Sequence, residues 1–173
     1  IDLDPGAAFG TGAHATTAMC LRWLEHIVCP QMRVYDVGCG SGILAIAASK
    51  LGAGEVIAMD YDPVAVSVAE ENIRANNVTN VAVFESDLLS ICAGTEPAEL
   101  ITANIIADII IRLFDQLDRH LAPGGILLAS GIIDDRIVDV ERAATEHGYT
   151  VLDMTCEKEW AAMIIRRSSE LKL

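Results

Sequence analysis

The sequence lacks several features that would assign it to other classes of protein. No apolar run approaches the roughly 18 residues that a membrane-spanning helix needs, so we expect no membrane segment. Basic residues are scarce, since 12 Lys and Arg stand against 25 Asp and Glu and give a formal net charge of −13. That charge would repel a phosphate backbone, so we expect no direct nucleic-acid binding and favour a cationic partner.

Cysteine pairs are also missing. The five cysteines are odd in number, lie far apart and form no C-x-x-C pair, which argues against both a disulfide framework and a zinc site. We therefore predict no bound metal and a location in the reducing cytoplasm. The cysteines are Cys20, Cys29, Cys39, Cys92 and Cys156.

The sequence also shows no signal peptide, and it opens at Ile1 without an initiator Met. We interpret it as part of a longer chain. Its 173 residues suit one full-sized domain with a continuous core. We place that domain at residues 1–167 and expect a frayed tail at 168–173.

Short β-branched runs alternate with longer helical stripes, which is typical of a parallel sheet covered by helices on both faces. We predict a doubly wound α/β domain whose mostly parallel seven-stranded sheet ends in an antiparallel pair. The predicted strands are Arg33–Val37, Glu55–Met59, Val81–Glu85, Leu100–Ala103, Ile126–Ser130, Val151–Cys156 and Ala161–Ile165. The predicted helices are a first one capped by Thr16 or Thr17, then Gly42–Leu51, Pro63–Asn76, Ile109–Leu121 and Asp135–His147.

A glycine-rich turn, Asp36-Val37-Gly38-Cys39-Gly40-Ser41-Gly42, follows the first predicted strand. Ligands of open α/β sheets bind beyond the carboxyl ends of the strands, and glycines let a ligand approach the backbone there. A dinucleotide fingerprint needs its third glycine at position 43, which is Ile43. The spacing therefore argues against a pyrophosphate cradle, although a tight structural turn remains an alternative.

Two acidic residues follow the next two predicted strands. Asp60 lies about 20 residues beyond the glycine turn, where a carboxylate accepts hydrogen bonds from both ribose hydroxyls of a nucleoside. The alternative for Asp60 is a helix cap, a role that Asp62 fills equally well. Ser86-Asp87 offers an acceptor at the expected position of an adenine amino group, with an ordinary turn as the alternative.

The ordered motifs DVGCGSG, AMDYDP, SDLL, TANI and LAPGG resemble those of the class I S-adenosylmethionine-dependent methyltransferases. More narrowly, the segments 4–17 and 38–48, the triplet Asn104-Ile105-Ile106 and the pair Glu159-Trp160 resemble the ribosomal protein L11 methyltransferase family. The resemblance covers nearly the whole chain. It implies S-adenosylmethionine as the cofactor, S-adenosylhomocysteine as the product, ribosomal protein L11 as the partner and an upstream substrate-recognition domain.

The resemblance, together with the motifs, gives a set of predicted site residues. Asn104 is the predicted catalytic residue, and segment 9–12 is expected to lie over the cofactor. The predicted cofactor contacts are Phe9, Gly10, Thr11, Gly12, Thr17, Asp36, Gly38, Gly40, Gly42, Asp60, Tyr61, Asp87 and Asn104.

Methyl transfer from a sulfonium needs a deprotonated nucleophile held close to the methyl group more than it needs an acid or a base. The side-chain carbonyl of Asn104 can accept a hydrogen bond from an attacking amine, although an Asn here can instead cap the next helix. Ile105 and Ile106 follow it, where methyltransferases of planar targets commonly carry Pro-Pro and an aromatic residue. This difference favours an alkyl amine over a flipped base.

Three further residues near the predicted site have two interpretations each. His14 is a minor candidate for the proton acceptor, with loop packing as the alternative. Trp160 either walls the pocket or packs between the last strands, and Cys39 is interpreted as a packing residue of the glycine turn.

Two other functions stay open on the sequence. A nicotinamide-dependent oxidoreductase shares the sheet, the glycine turn and the acid at the strand end. An adenosyl-binding module without catalysis would share them too. Our prediction is a protein N-methyltransferase that acts on amines of ribosomal protein L11; a methyltransferase of the same class with another substrate is the nearest alternative.

Overall fold

The computed structural model of the chain describes residues 1–3 and 14–171. Seven strands lie in one sheet: β1 (Arg33–Val37), β2 (Glu55–Asp60), β3 (Val81–Glu85), β4 (Ala98–Asn104), β5 (Leu121–Ile133), β6 (Tyr149–Glu157) and β7 (Trp160–Arg167). The α-helices of the described residues are α1 (Ala15–Ile27), α2 (Ile43–Lys50), α3 (Pro63–Ala75), α4 (Ala107–His120) and α5 (Ile137–Glu146).

The strands follow the order β3-β2-β1-β4-β5-β7-β6 across the sheet. Strands β1 to β5 pair in parallel, and β7 pairs antiparallel with both β5 and β6. The predicted mostly parallel sheet with an antiparallel terminal pair is therefore confirmed. The strand order reverses between β1 and β4, so a crevice opens beyond the carboxyl ends of these two strands.

Apolar side chains bury both faces of the sheet. One core holds Ile110, Leu113 and Leu117 of α4 against strand residues such as Ile101 and Leu127. The other core, on the opposite face, holds helix residues Leu24, Leu44 and Ala69 against strand residues Val34, Val56 and Leu128. Burial on both faces explains why the parallel strands read as nearly continuous apolar runs.

Several predicted boundaries are wrong by a few residues, and two differences have a clear physical cause. Neither Thr16 nor Thr17 caps α1, because the side chain of His14 accepts the hydrogen bond from the Thr16 N–H at 3.4 Å. Strand β5 begins at Leu121 instead of the predicted Ile126 and includes Pro123-Gly124-Gly125. Ala98 pairs with Leu121 and Leu100 with Ile126, so an irregularity in the pairing accommodates the additional residues.

The described residues of the predicted tail, 168–171, make defined contacts with the domain. Ser168–Glu170 form a 3-10 turn, and the Glu170 carboxylate accepts a hydrogen bond from the Gly124 N–H at 2.9 Å. Arg167 also donates to the Leu121 carbonyl at 2.8 Å. These contacts attach the end of the described chain to the start of β5.

Candidate active site

The glycine turn is closed by hydrogen bonds of its own. The N–H groups of Gly38 and Cys39 donate to the Met59 carbonyl at 2.8 and 3.0 Å, and Gly42 N–H donates to the Cys39 carbonyl at 2.8 Å. Gly40 N–H donates to the Asp60 carboxylate at 2.9 Å. Since a pyrophosphate cradle presents such donors to its ligand, their internal use argues against dinucleotide binding by this loop.

Glycine is required at both Gly38 and Gly42, and the two residues lie against different parts of the protein. Both residues have positive φ, +69° and +81°, which glycine adopts without strain. A Cβ on Gly38 would stand 2.3 Å from Ile105 Cγ2, so the turn lies against the residue after Asn104. A Cβ on Gly42 would meet Ala69 of α3 at 3.2 Å, so this predicted cofactor contact faces α3.

Asp60 ends β2 and receives two backbone donors. Oδ2 accepts from Gly40 N–H at 2.9 Å and Oδ1 accepts from Asp62 N–H at 3.0 Å. The helix-cap alternative for Asp60 is wrong, because Asp62 caps α3 by accepting from Val64 N–H at 2.9 Å. Each carboxylate oxygen of Asp60 has further lone-pair capacity for a ligand hydroxyl.

Asp36 lies beneath the glycine turn and is 1% exposed. One oxygen accepts from Thr102 Oγ1 at 2.6 Å and the other from Ala45 N–H at 3.2 Å. Burial raises the pKa of Asp36 to about 6, although these two hydrogen bonds act in the opposite direction. The contacts indicate that Asp36 ties β1, β4 and the start of α2 together under the predicted cofactor loop.

Asp36 should make folding stability depend on pH. Its folded-state pKa is about 6, above the ordinary value of about 3.9, so the folded chain holds this proton more tightly. The resulting stabilisation is present at acid pH and is lost as the pH rises through the folded-state value. Relative to Asp36→Asn, the wild-type free energy of unfolding should fall by about 2 kcal/mol between about pH 4 and about pH 7. Urea unfolding of both proteins across that range measures the difference, and a constant difference would contradict the raised pKa.

Asn104 is the last residue of β4, and a residue of α1 holds its side chain by a hydrogen bond. Its Nδ2 donates to Thr17 Oγ1 at 3.4 Å, and Thr17 is fully buried. The alternative role as a helix cap is wrong, because α4 begins after Ile106 without a side-chain cap. With Nδ2 held by Thr17, the Oδ1 acceptor of Asn104 is available to a ligand.

The backbone behind Asn104 is fixed by the end of β5. Ile105 N–H donates to the Ser130 carbonyl at 3.0 Å, and Ser130 is fully buried. Gly131 has a φ of +81° and lies against the backbone of Ile105. A Cβ built on Gly131 would lie 2.5 Å from the Ile105 carbonyl oxygen. This close packing sets the position of Asn104 relative to the sheet.

His14 and Trp160 meet in the cavity wall. Their rings contact edge to face with centroids 5.2 Å apart, and both residues line the cavity. The structure thus supports the wall interpretation of Trp160. His14 Nδ1 also lies 2.8 Å from Thr16 Oγ1, a contact that suits the packing alternative for this residue.

These residues surround one cavity of about 820 Å³ at the carboxyl ends of the strands. That volume falls within the usual range for ligand pockets. Phe9, Gly10, Thr11 and Gly12 lie outside the described residues. Of the other predicted contacts, those that line the cavity are Thr17, Asp36, Gly38, Gly40, Asp60, Tyr61, Asp87 and Asn104.

Sequence reasoning missed the part of the wall that α4 supplies. Arg112 lines the cavity, and its Nη2 lies 3.2 Å from a carboxylate oxygen of Asp87. Leu88 also lines the cavity, with a φ of +51°. No local sequence pattern identifies Arg112, because it lies 25 residues from its partner Asp87 in the chain.

Cys39 lies in the cavity wall but is almost fully buried. Burial raises the pKa of its thiol well above the ordinary value, which keeps it protonated at neutral pH. The packing interpretation is therefore supported.

None of the helices that the structure describes is long and apolar enough to cross a membrane.

The fold is shared with solved methyltransferases that bind S-adenosylmethionine. Among solved structures, a 16S rRNA N2 G1207 methyltransferase of T. thermophilus, in complex with AdoMet and guanosine, superposes with a TM-score of 0.77 at 17% identity. The match covers 92% of this chain and 45% of that one. At this identity the match establishes the fold alone.

Beyond the fold, sequence similarity assigns the chain to one family. The chain belongs to the ribosomal protein L11 methyltransferase family, whose family model matches residues 1–168. The ribosomal protein L11 methyltransferase of Caldanaerobacter subterraneus subsp. tengcongensis is 53% identical over 167 residues, covering 96% of this chain and 53% of that protein. The crystal structure of the ribosomal protein L11 methylase of Lactobacillus delbrueckii subsp. bulgaricus gives a TM-score of 0.88 at 38% identity, covering 95% of this chain and 83% of that chain. This chain spans about half the length of the curated relatives that it matches.

Proposed function

We propose that this chain is the catalytic part of a protein N-methyltransferase that modifies lysine ε-amines or the N-terminal amine of ribosomal protein L11. The observation that carries the proposal is the position of Asn104 in the wall of the same cavity that the glycine turn and Trp160 line. Family membership supports both the reaction and the substrate. The five free cysteines fit a cytoplasmic enzyme.

The residues of the cavity fit S-adenosylmethionine. Asp60 offers a carboxylate for ribose hydroxyls, Gly38 and Gly40 of the glycine turn line the cavity, and Asp87 offers an acceptor for the adenine amino group. When bound, the cofactor would supply a methyl group on a sulfonium ion. An amine nitrogen would form a bond to the methyl carbon as the carbon–sulfur bond breaks in line. S-adenosylhomocysteine is the matching product. Our preference for this cofactor over NAD rests on the glycine turn, whose N–H groups at Gly38, Cys39, Gly40 and Gly42 bond within the protein instead of facing a pyrophosphate.

Asn104 provides the orientation that the reaction needs. Thr17 holds Nδ2, so Oδ1 is left to accept a hydrogen bond from an amine N–H and to direct the nitrogen lone pair. A lysine amine has an ordinary pKa of about 10.4 and reacts only after losing a proton. The positive charge of the sulfonium would favour the neutral amine, because a nearby like charge disfavours the protonated form. Holding the amine in one orientation is the main contribution of this side chain.

The substrate assignment is tested with the full-length protein, a methyl donor and purified ribosomal protein L11. Mass spectrometry should show added methyl groups on amines of L11 and none when the donor is omitted. Modification of a different protein in a ribosomal extract, with L11 unchanged, would show that the substrate is wrong while the reaction class holds. Absence of donor binding by calorimetry would reject the reaction class itself.

Replacing Asp60 by asparagine should weaken S-adenosylmethionine binding about tenfold, because a charged acceptor of two hydroxyl donors becomes neutral. Calorimetry measures the change. Asp62→Asn is the matched control, since it removes the same charge two residues away and asparagine caps a helix equally well. Equal affinities for the two variants would remove Asp60 from the cofactor site.

A further inference from the structure

The loop that follows β3 is held by two side chains of α4. Leu89 N–H donates to Gln116 Oε1 at 3.0 Å, and Arg112 Nη2 lies 3.2 and 3.3 Å from the two oxygens of Asp87. Arg112 and Gln116 are four residues apart on α4 and therefore share one helix face. One face of α4 thus contacts the loop on both sides of Leu88.

The backbone of Leu88 shows that the loop is constrained. Its φ is +51°, in the left-handed region that residues with a side chain rarely adopt, and its side chain is only 6% exposed. Such a conformation persists where neighbouring contacts fix it, and it occurs preferentially at ligand sites. Ser86, Asp87 and Leu88 of this loop line the cavity, and the two contacts with α4 fall at Asp87 and at Leu89, on either side of Leu88.

The two contacts differ in strength. The side chains of Arg112 and Asp87 are 54% and 55% exposed, and an ion pair in water contributes little. The hydrogen bond from Leu89 to Gln116 is partly buried and fixes the backbone directly. Gln116 is therefore the stronger constraint on the loop, and Arg112 is secondary.

We propose that Gln116 is a positioning residue for base selectivity: by holding Leu89, it fixes the loop so that the Asp87 carboxylate meets the amino group of adenine. This inference rests on the proposed cofactor. Gln116 does not line the cavity; it acts through the loop. A carboxylate placed in this way accepts from the amino group of adenine and repels the carbonyl oxygen of hypoxanthine.

The inference is tested by calorimetry on the full-length protein with two ligands, S-adenosylhomocysteine and S-inosylhomocysteine. The wild type should prefer the adenine ligand, because an acceptor left facing an acceptor is costly. Gln116→Leu keeps the approximate size but cannot accept, and it should lower that preference about tenfold. Gln116→Glu keeps an acceptor oxygen and should retain the preference within about twofold. Arg119→Gln, a substitution on the same helix, is the control and should leave the preference unchanged.

Each outcome separates this inference from the proposed function. If the wild type binds neither ligand, the proposed cofactor is wrong. If it binds S-adenosylhomocysteine but shows no preference for adenine, or if Gln116→Leu keeps the wild-type preference, the role of Gln116 is rejected while the methyltransferase assignment stands. Should thermal unfolding show that Gln116→Leu is not folded, Gln116→Met decides, because it also removes the acceptor of the Leu89 N–H: we expect about a tenfold loss of preference, and an unchanged preference would overturn the inference.

Discussion

Replacement of Asn104 by alanine should lower turnover about a hundredfold while changing affinity for S-adenosylmethionine less than tenfold. The substitution removes the acceptor that orients the amine, whereas the proposed ribose and adenine contacts at Asp60 and Asp87 remain. Single-turnover kinetics with L11, together with calorimetry of the methyl donor, separates the two effects. Unchanged turnover would remove Asn104 from the mechanism.

Thr17→Val is the companion to that experiment. It removes the hydroxyl that holds Asn104 Nδ2 but leaves the Asn104 side chain in place. We expect about a tenfold loss of turnover, intermediate between the wild type and Asn104→Ala, because the acceptor is present but less well oriented. A loss as large as that of Asn104→Ala would indicate that Thr17 has a direct role of its own.

Gly131→Ala should reduce the free energy of unfolding by about 4 kcal/mol. The new Cβ would lie 2.5 Å from the Ile105 carbonyl oxygen and 3.0 Å from two other backbone atoms of Ile105. Backbone atoms cannot swing away, and Ile105 N–H is already bonded to Ser130. The segment after β4 must therefore move, and Asn104 with it, so turnover should fall as well.

Gly148→Ala is the matched control for that substitution. Gly148 has a similar φ of +79°, but an added Cβ would meet nothing within 4 Å. It should therefore show only the cost of left-handed backbone with a side chain, about 1 kcal/mol. Chemical unfolding of both variants gives the comparison. Equal losses would show that the contact between Gly131 and Ile105 does not constrain the fold.

Much of the fold follows from local sequence patterns. The bounds of β1 and β3 were predicted without error, because β-branched runs at these places end at glycine or polar residues. Asp62-Pro63 marked the start of α3 for a similarly local reason, a cap followed by a helix-compatible proline. The antiparallel pair at the end of the sheet was also predicted, and the pairing of β6 with β7 confirms it.

The errors arise where distant residues decide the structure. Strand β5 extends through Pro123-Gly124-Gly125 because β4 pairs with both sides of the turn. Sequence alone placed Asp87 at the site but gave no sign of Arg112, its partner on α4, because that pairing depends on how the helix docks. The predicted contacts at 9–12 stay predictions, since they lie outside the described residues.

The self-bonded glycine turn has a consequence for the reaction cycle. Its conformation is fixed by Met59, Cys39 and Asp60, all within the protein. Little conformational entropy is therefore lost there when a ligand arrives, and none of the ligand's binding energy is needed to fold the loop. The glycine turn should therefore keep the same conformation while S-adenosylhomocysteine leaves and the next S-adenosylmethionine binds.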